Sequence, residues 1–119
     1  MHSCFSLIVS CIDFRIQPAV EEWALKNLGA KNYDRVALAG GVKDFSAVMS
    51  QIDISVKLHA VKKAILMNHE DCGAYWESGT EEKHREDLKT AADKVKVKYP
   101  DLTVETYYVR LDGQIAPIN

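Results

Sequence analysis

The segment AILMNHEDCGAY, residues 64–75, joins a short apolar run to a group of potential metal ligands. Its first four residues are apolar, as in a strand that is buried on both faces of a parallel sheet, and His69 and Cys72 follow. The segment CIDFR, residues 11–15, has the same arrangement, since it follows the largely apolar residues 4–9. Each potential ligand therefore lies where a buried strand is predicted to end.

Strands and helices alternate along the whole chain. Strands are predicted at residues 5–10, 35–39, 64–67 and 104–109, and helices at residues 18–28, from Asp44 or Ser46 to residue 61, and from Thr80 or Glu81 to residue 99. Asp112-Gly113 is a turn signal that precedes a final edge strand through Ile118. This order predicts an α/β fold, a mostly parallel sheet of four to five strands with helices on both faces. With 119 residues, we expect a single domain over residues 1–119.

The predicted sheet brings the two motifs together if strands one and three are neighbours. Ligands of such sheets bind beyond the carboxyl ends of strands, where the strand order reverses. Cys11, His69 and Cys72 would then meet, and two thiols with one imidazole suit zinc. Three protein ligands leave a fourth position for water or substrate, so the count favours a catalytic site over a structural one.

Composition excludes several classes of function. The formal net charge is -2 and no polybasic run occurs, so neither nucleic acid nor an anionic membrane is an expected partner. No segment approaches the about 18 consecutive apolar residues of a membrane span. An odd number of cysteines, three, is typical of free thiols in a reducing compartment, and we expect a cytoplasmic protein.

Cys4 is expected to be a small buried residue of the first strand, and His59 an ordinary helix residue.

The motifs resemble a known signature. Cys-x-Asp-x-Arg at residues 11–15, followed by His-x-x-Cys-Gly at residues 69–73, is similar to the zinc site of the β class of carbonic anhydrases. The similarity extends through most of the chain, including the glycine turn at residues 39–41 and the terminal Asp-Gly hairpin. The chain resembles a compact, shortened member of that family with a β-carbonic-anhydrase-like fold.

The resemblance implies a role for each residue of the motifs. Cys11, His69 and Cys72 correspond to zinc ligands, Asp13 to the carboxylate beside the metal, and Arg15 to its guanidinium partner. The implied reaction is reversible hydration of carbon dioxide to bicarbonate, with zinc hydroxide as nucleophile and the Asp13/Arg15 pair orienting it. Family members are oligomers built on dimers, so a homodimer or a dimer of dimers is expected.

Alternatives remain open at the level of sequence. Asp13 could instead bind zinc as a fourth ligand and close the site, as in a non-catalytic zinc-binding module. Phe14 replaces a small polar residue of the family and Gly41-Val42 stands where an Asn is common. We also expect no helical arm ahead of strand one, unlike in the family. These departures leave carbonyl sulfide or carbon disulfide as alternative substrates. A metal-free Cys72 thiol enzyme is the weakest alternative.

Overall fold

The computed structural model describes residues 2–118 and contains one five-stranded sheet. Its strands are β1 (Ser6–Ser10), β2 (Tyr33–Ala37), β3 (Lys63–His69), β4 (Thr103–Val109) and β5 (Ile115–Pro117). Its helices are α1 (Gln17–Leu28), α2 (Phe45–His59) and α3 (Glu81–Lys98), with a short 3₁₀ segment at Gly73–Ser78. The strand order is β2-β1-β3-β4-β5, and only β5 is antiparallel to its neighbour. The predicted α/β fold class is confirmed.

Alternating side chains of the central strands build a core on each face of the sheet. Leu7 and Leu66 belong to the core that α2 and α3 cover, whereas Ile8 and Ile65 belong to the core that α1 covers. All four side chains have no solvent exposure. Burial on both faces explains why these strands are continuous apolar runs, and it confirms helices on both sides of the sheet.

The helix boundaries follow from local capping groups. Asp44 accepts a hydrogen bond from the amide of Ala47 at the start of α2 (3.3 Å), and Thr80 accepts one from the amide of Lys83 at the start of α3 (3.1 Å). Pro18 lies in the first turn of α1, where a missing amide hydrogen is tolerated. Each start agrees with a predicted one to within a residue.

Three local predictions need correction. The second strand was expected at residues 35–39 but begins two residues earlier, because this edge strand is half exposed and carries polar residues that hide the apolar pattern. His69 is the last residue of β3 rather than a residue beyond it, because it pairs with Val109 of β4. Cys4 precedes β1 and is only partly buried, so it is not part of the first strand.

The strand order reverses direction at β1. The chain forms β2 on one side of β1 and then crosses to form β3 on its other side. The carboxyl ends of β1 and β3 are therefore adjacent, as the meeting of the two motifs required. None of the helices within residues 2–118 is long and apolar enough to cross a bilayer.

Candidate metal centre

Cys11, His69 and Cys72 converge at the carboxyl ends of β1 and β3. One potential ligand atom of each residue lies within 4.8 Å of the other two. The two sulfur atoms are 3.9 Å apart and unlinked, and all three residues are buried. In tetrahedral zinc sites, bond lengths of about 2.0–2.3 Å place neighbouring ligand atoms roughly 3.3–3.8 Å apart. A small contraction of the cluster would thus enclose a zinc ion.

Hydrogen bonds orient two of the three side chains for metal binding. His69 Nδ1 donates to the backbone oxygen of Glu70 (2.7 Å), which leaves Nε2 as the free, basic nitrogen. Within the described residues, buried Nε2 has no hydrogen-bond partner. The amide of Gly40 donates to Cys11 Sγ (3.3 Å), as expected for a sulfur that carries negative charge. A buried nitrogen without a partner beside two thiols fits a soft-to-borderline divalent metal ion such as zinc.

The two thiols differ in their ease of ionisation. Burial opposes ionisation of Cys11, but the adjacent imidazole of His69 and the amide of Gly40 outweigh it and lower its pKa to about 7. Burial raises the pKa of Cys72, and the neighbouring Cys11 adds to that effect. Cys11 is therefore the thiol that ionises first and the first sulfur available to a metal.

Asp13 and Arg15 form a bidentate pair beside the cluster. Arg15 Nη2 lies 2.7 Å from Asp13 Oδ2, and Arg15 Nε lies 3.1 Å from Oδ1. The backbone amide of Arg15 also donates to Oδ1 (2.8 Å). These hydrogen bonds lower the pKa of Asp13 to about 2, so the carboxylate is ionised at neutral pH.

The Asp13 carboxylate faces the candidate metal position but lies outside the three-residue group. Its Oδ2 atom is 3.7 Å from His69 Nε2. The group whose ligand atoms all lie within 4.8 Å of one another does not include Asp13. Arg15 thus holds the carboxylate beside the three potential ligands.

Asp71 connects the two motifs through Arg15. Arg15 Nη1 donates to the Asp71 carboxylate (3.1 Å) and Nη2 donates to the Asp71 backbone oxygen (2.9 Å). Asp71 adopts a left-handed backbone with φ 57°, which turns its carbonyl toward Arg15. This contact joins residues 56 positions apart, and no local sequence pattern indicates it.

A buried polar network supports β3 behind the cluster, and sequence reasoning missed it. Asn68 Oδ1 accepts from the amide of Val42 (3.1 Å), while Asn68 Nδ2 donates to Tyr75 Oη (3.0 Å) and to His84 Nδ1 (2.9 Å). Tyr75 Oη in turn donates to Asp87 Oδ2 (2.8 Å). An Asn at the end of an apolar strand was the available signal, since a buried amide requires partners.

Exposed apolar side chains lie close in sequence to the candidate ligands. Phe14 is 82% exposed and Trp76 is 85% exposed, and Ile12 is also exposed. Tyr75, in contrast, is buried by its hydrogen-bonded network. Of the two adjacent aromatic residues, only Trp76 is thus free to contact another surface.

Comparison with known proteins identifies the family. Residues 1–119 match the family described as "Putative carbonic anhydrase". The chain belongs to that carbonic anhydrase family. Two relatives, uncharacterized proteins of Rickettsia conorii and Rickettsia bellii, are each 30% identical and are matched over 99% of this chain, and over 74% and 84% of their own lengths.

Solved structures share the fold at low sequence identity. A carbonic anhydrase from Streptococcus mutans has a TM-score of 0.71 and 20% identity, covering 96% of this chain and 81% of its own. A carbon disulfide hydrolase in its apo form has a TM-score of 0.68 and 16% identity, and the match covers 99% of this chain and 80% of the hydrolase. A tetrameric β-carbonic anhydrase from Sordaria macrospora has a TM-score of 0.62 and 14% identity, and the match covers 100% of this chain and 82% of the other. The chain therefore has the β-carbonic-anhydrase fold.

Proposed function

We propose that this protein is a zinc-dependent carbonic anhydrase that interconverts carbon dioxide and bicarbonate. The observation that carries the proposal is a buried group of three potential ligands, Cys11, His69 and Cys72, beside a carboxylate held outside that group. Such a set has the three-ligand form of catalytic zinc sites, which keep a fourth position open. Family membership supports the same chemistry.

In this proposal the three ligands hold zinc as a formally neutral site, because two thiolates balance the charge of the ion. When bound, zinc supplies a Lewis acid that brings the pKa of a coordinated water toward neutrality. His69 is fixed in the tautomer that presents Nε2, since Nδ1 donates to a backbone carbonyl.

Asp13 and Arg15 orient the nucleophile. The ionised Asp13 accepts a hydrogen bond from the attacking oxygen, which directs an oxygen lone pair toward the carbon of carbon dioxide. Arg15 donates hydrogen bonds to both carboxylate oxygens of Asp13. The carboxylate therefore can neither rotate freely nor become protonated near neutral pH. Asp71 fixes Arg15 in turn.

We also propose that two copies of the chain enclose the site, as a homodimer or a dimer of dimers. Ile12, Phe14 and Trp76 are exposed and close in sequence to the candidate ligands, and covering them would remove apolar surface from water. The free state of the three cysteines supports a reducing, cytoplasmic location.

Carbon disulfide or carbonyl sulfide is the alternative substrate. A carbon disulfide hydrolase has the same fold as this chain. Phe14, which departs from the usual family residue, is exposed directly beside Asp13, where it could shape access for a longer and more apolar substrate.

Stopped-flow measurement of carbon dioxide hydration, with protein shown by metal analysis to contain zinc, tests the proposal. A hydration rate well above buffer that is lost in Cys72→Ser, together with slow turnover of carbon disulfide, is the expected result. Faster turnover of carbon disulfide would favour the alternative. A zinc-loaded Cys72→Ser variant with full hydration activity would overturn the assigned ligand set.

A further inference from the structure

A second group of potential metal ligands lies at the opposite end of the sheet. Cys4 precedes β1, Asp34 is the second residue of β2, and His59 ends α2. One potential ligand atom of each lies within 4.8 Å of the other two. Because β1 runs between Cys4 and Cys11 at about 3.3 Å per residue, this group is roughly 20 Å from the candidate centre described above. The two groups share no residue.

Hydrogen bonds hold the three residues close together. The amide of Cys4 donates to the backbone oxygen of His59 (3.1 Å), which ties the two residues together. Asp34 Oδ2 lies 2.7 Å from His59 Nδ1 and also accepts from Ser55 Oγ at 2.7 Å. The arrangement therefore joins the segment that precedes β1 to β2 and to the end of α2.

An additional imidazole and access from solvent complete the arrangement. The ring of His2 lies 5.0 Å from the ring of His59, centre to centre, at an interplanar angle of 51°. The side chains of Asp34 and His59 are each 28% exposed, so an ion can reach them. Shallow depressions of about 220 and 360 Å³ flank the group, one lined by Asp34 and His59 and the other by Cys4.

We propose that Cys4, Asp34 and His59, with His2 as a fourth ligand, bind a divalent transition-metal ion of the zinc type, independently of the first centre. A thiolate, a carboxylate and imidazoles form a mixed sulfur, oxygen and nitrogen set that suits zinc, whereas magnesium and calcium prefer oxygen ligands alone. The charges of one thiolate and one carboxylate neutralise the ion.

The geometry requires only a small rearrangement. Ligand atoms in a tetrahedral zinc site are roughly 3.3–3.8 Å apart, so the 2.7 Å contact between Asp34 and His59 must open while the wider separations close. The ion takes the place of the hydrogen between Asp34 and His59 Nδ1, and that hydrogen moves to His59 Nε2. Binding releases the thiol proton of Cys4 to solvent.

Metal content separates this site from the first one. Three tag-free proteins are equilibrated with micromolar zinc: the wild type, the double variant Cys4→Ala/His59→Gln, and Cys72→Ser. Bound zinc per chain is then measured by inductively coupled plasma mass spectrometry. We expect two ions in the wild type, one in the Cys4/His59 variant, and one in Cys72→Ser. Asp53→Asn is the matched control, since this carboxylate lies on α2 outside the group, and it should retain two. Equal zinc content in wild type and the Cys4/His59 variant would overturn the proposal.

Protection of Cys4 provides a readout that does not depend on activity or on the first centre. Iodoacetamide labelling of Cys4, followed by peptide mass spectrometry, is compared with and without zinc in the wild type and in Asp34→Asn. At zinc tenfold above its Kd, mass action predicts about tenfold slower labelling of Cys4 in the wild type. The protection should be lost in Asp34→Asn while Cys11 and Cys72 remain protected. Labelling of wild-type Cys4 at the same rate with and without zinc would contradict the site.

Discussion

At the scale of single residues, the candidate metal centre depends on side chains that lie far apart in the sequence and on the hydrogen bonds that hold them. Cys11, His69 and Cys72 were found because soft ligands followed two buried strands, and the structure brings them together. Asp71 and Asn68 were not assigned their contacts, because a hydrogen bond across 56 residues, as between Arg15 and Asp71, depends on the finished fold. Local spacing carries no signal for such partners.

Arg15→Lys should slow carbon dioxide hydration while zinc content stays unchanged. Lysine keeps the positive charge but cannot contact both oxygens of Asp13, so the carboxylate loses its fixed orientation. Misplacement of an orienting group costs on the order of tenfold to a hundredfold in rate, which stopped-flow measurement of kcat would detect.

Arg85→Lys is the matched control for that experiment. Arg85 makes a comparable contact with Glu81, but on the exposed face of α3 and one helical turn apart. Hydration at the wild-type rate is expected for Arg85→Lys. An equal loss of kcat in both variants would mean that the effect of Arg15→Lys is not specific to Asp13.

His84 should make the free energy of unfolding depend on pH. Burial lowers the pKa of His84 below its ordinary value of 6.5, so below about pH 6.5 the unfolded chain binds a proton that the folded chain does not. Stability contributed by neutral His84 is therefore full above pH 6.5 and falls as the pH decreases, by at most about 1.4 kcal/mol per pH unit.

The measurement is urea unfolding of metal-free wild type and His84→Gln at several values between pH 5 and 7.5. Glutamine keeps an acceptor for Asn68 Nδ2 but does not titrate. The slope of unfolding free energy against pH should be smaller in His84→Gln. Identical slopes in the two proteins would show that His84 is not held neutral by the fold.

At the scale of elements, buried strands and capped helices were predictable and edges were not. β1 and β3 are apolar because both faces are covered, and Asp44 and Thr80 mark helix starts by side-chain caps. β2 was placed two residues late, because an edge strand exposed to solvent does not need apolar residues on both faces. The pattern of apolar residues arises from burial, so the sequence indicates buried elements and not exposed edges.

Gly41→Ala should destabilise the turn that follows β2. Gly41 has φ 63°, and a Cβ atom there would overlap the side-chain oxygen of Asn68 and the backbone oxygen of Met67. Relieving that overlap would disturb the strand that carries His69. We expect a loss of roughly 2–4 kcal/mol in unfolding free energy, measured by urea denaturation.

Gly29→Ala is the control, because it carries the backbone cost of a positive φ without the steric overlap. Gly29 also has a positive φ, 88°, but a Cβ atom there would have no neighbour within 4 Å. Because ψ is 151°, this is a conformation that almost only glycine adopts, and the backbone cost alone should be roughly 1–3 kcal/mol. Equal losses for the two variants would contradict a close approach of the Gly41 turn to Asn68.

At the scale of the whole molecule, the predicted single domain over residues 1–119 stays a prediction that unfolding can test. Cores on both faces share the strands of one sheet, so neither should melt alone. Tryptophan fluorescence, in which Trp23 reports on the core under α1, and far-ultraviolet circular dichroism should give coincident urea transitions. Two separated transitions would indicate that the chain is not one cooperative unit.

The central claim is that a zinc site oriented by Asp13 hydrates carbon dioxide, and the Asp13→Asn variant tests it most directly. The measurement is the stopped-flow hydration rate of wild type and Asp13→Asn at about pH 8.5, each shown by metal analysis to hold zinc at the first centre. The account predicts rapid hydration by the wild type and a loss of about a hundredfold or more in Asp13→Asn, since asparagine cannot accept as a carboxylate does. A wild-type rate no higher than buffer, or an Asp13→Asn rate equal to that of the wild type, would contradict it.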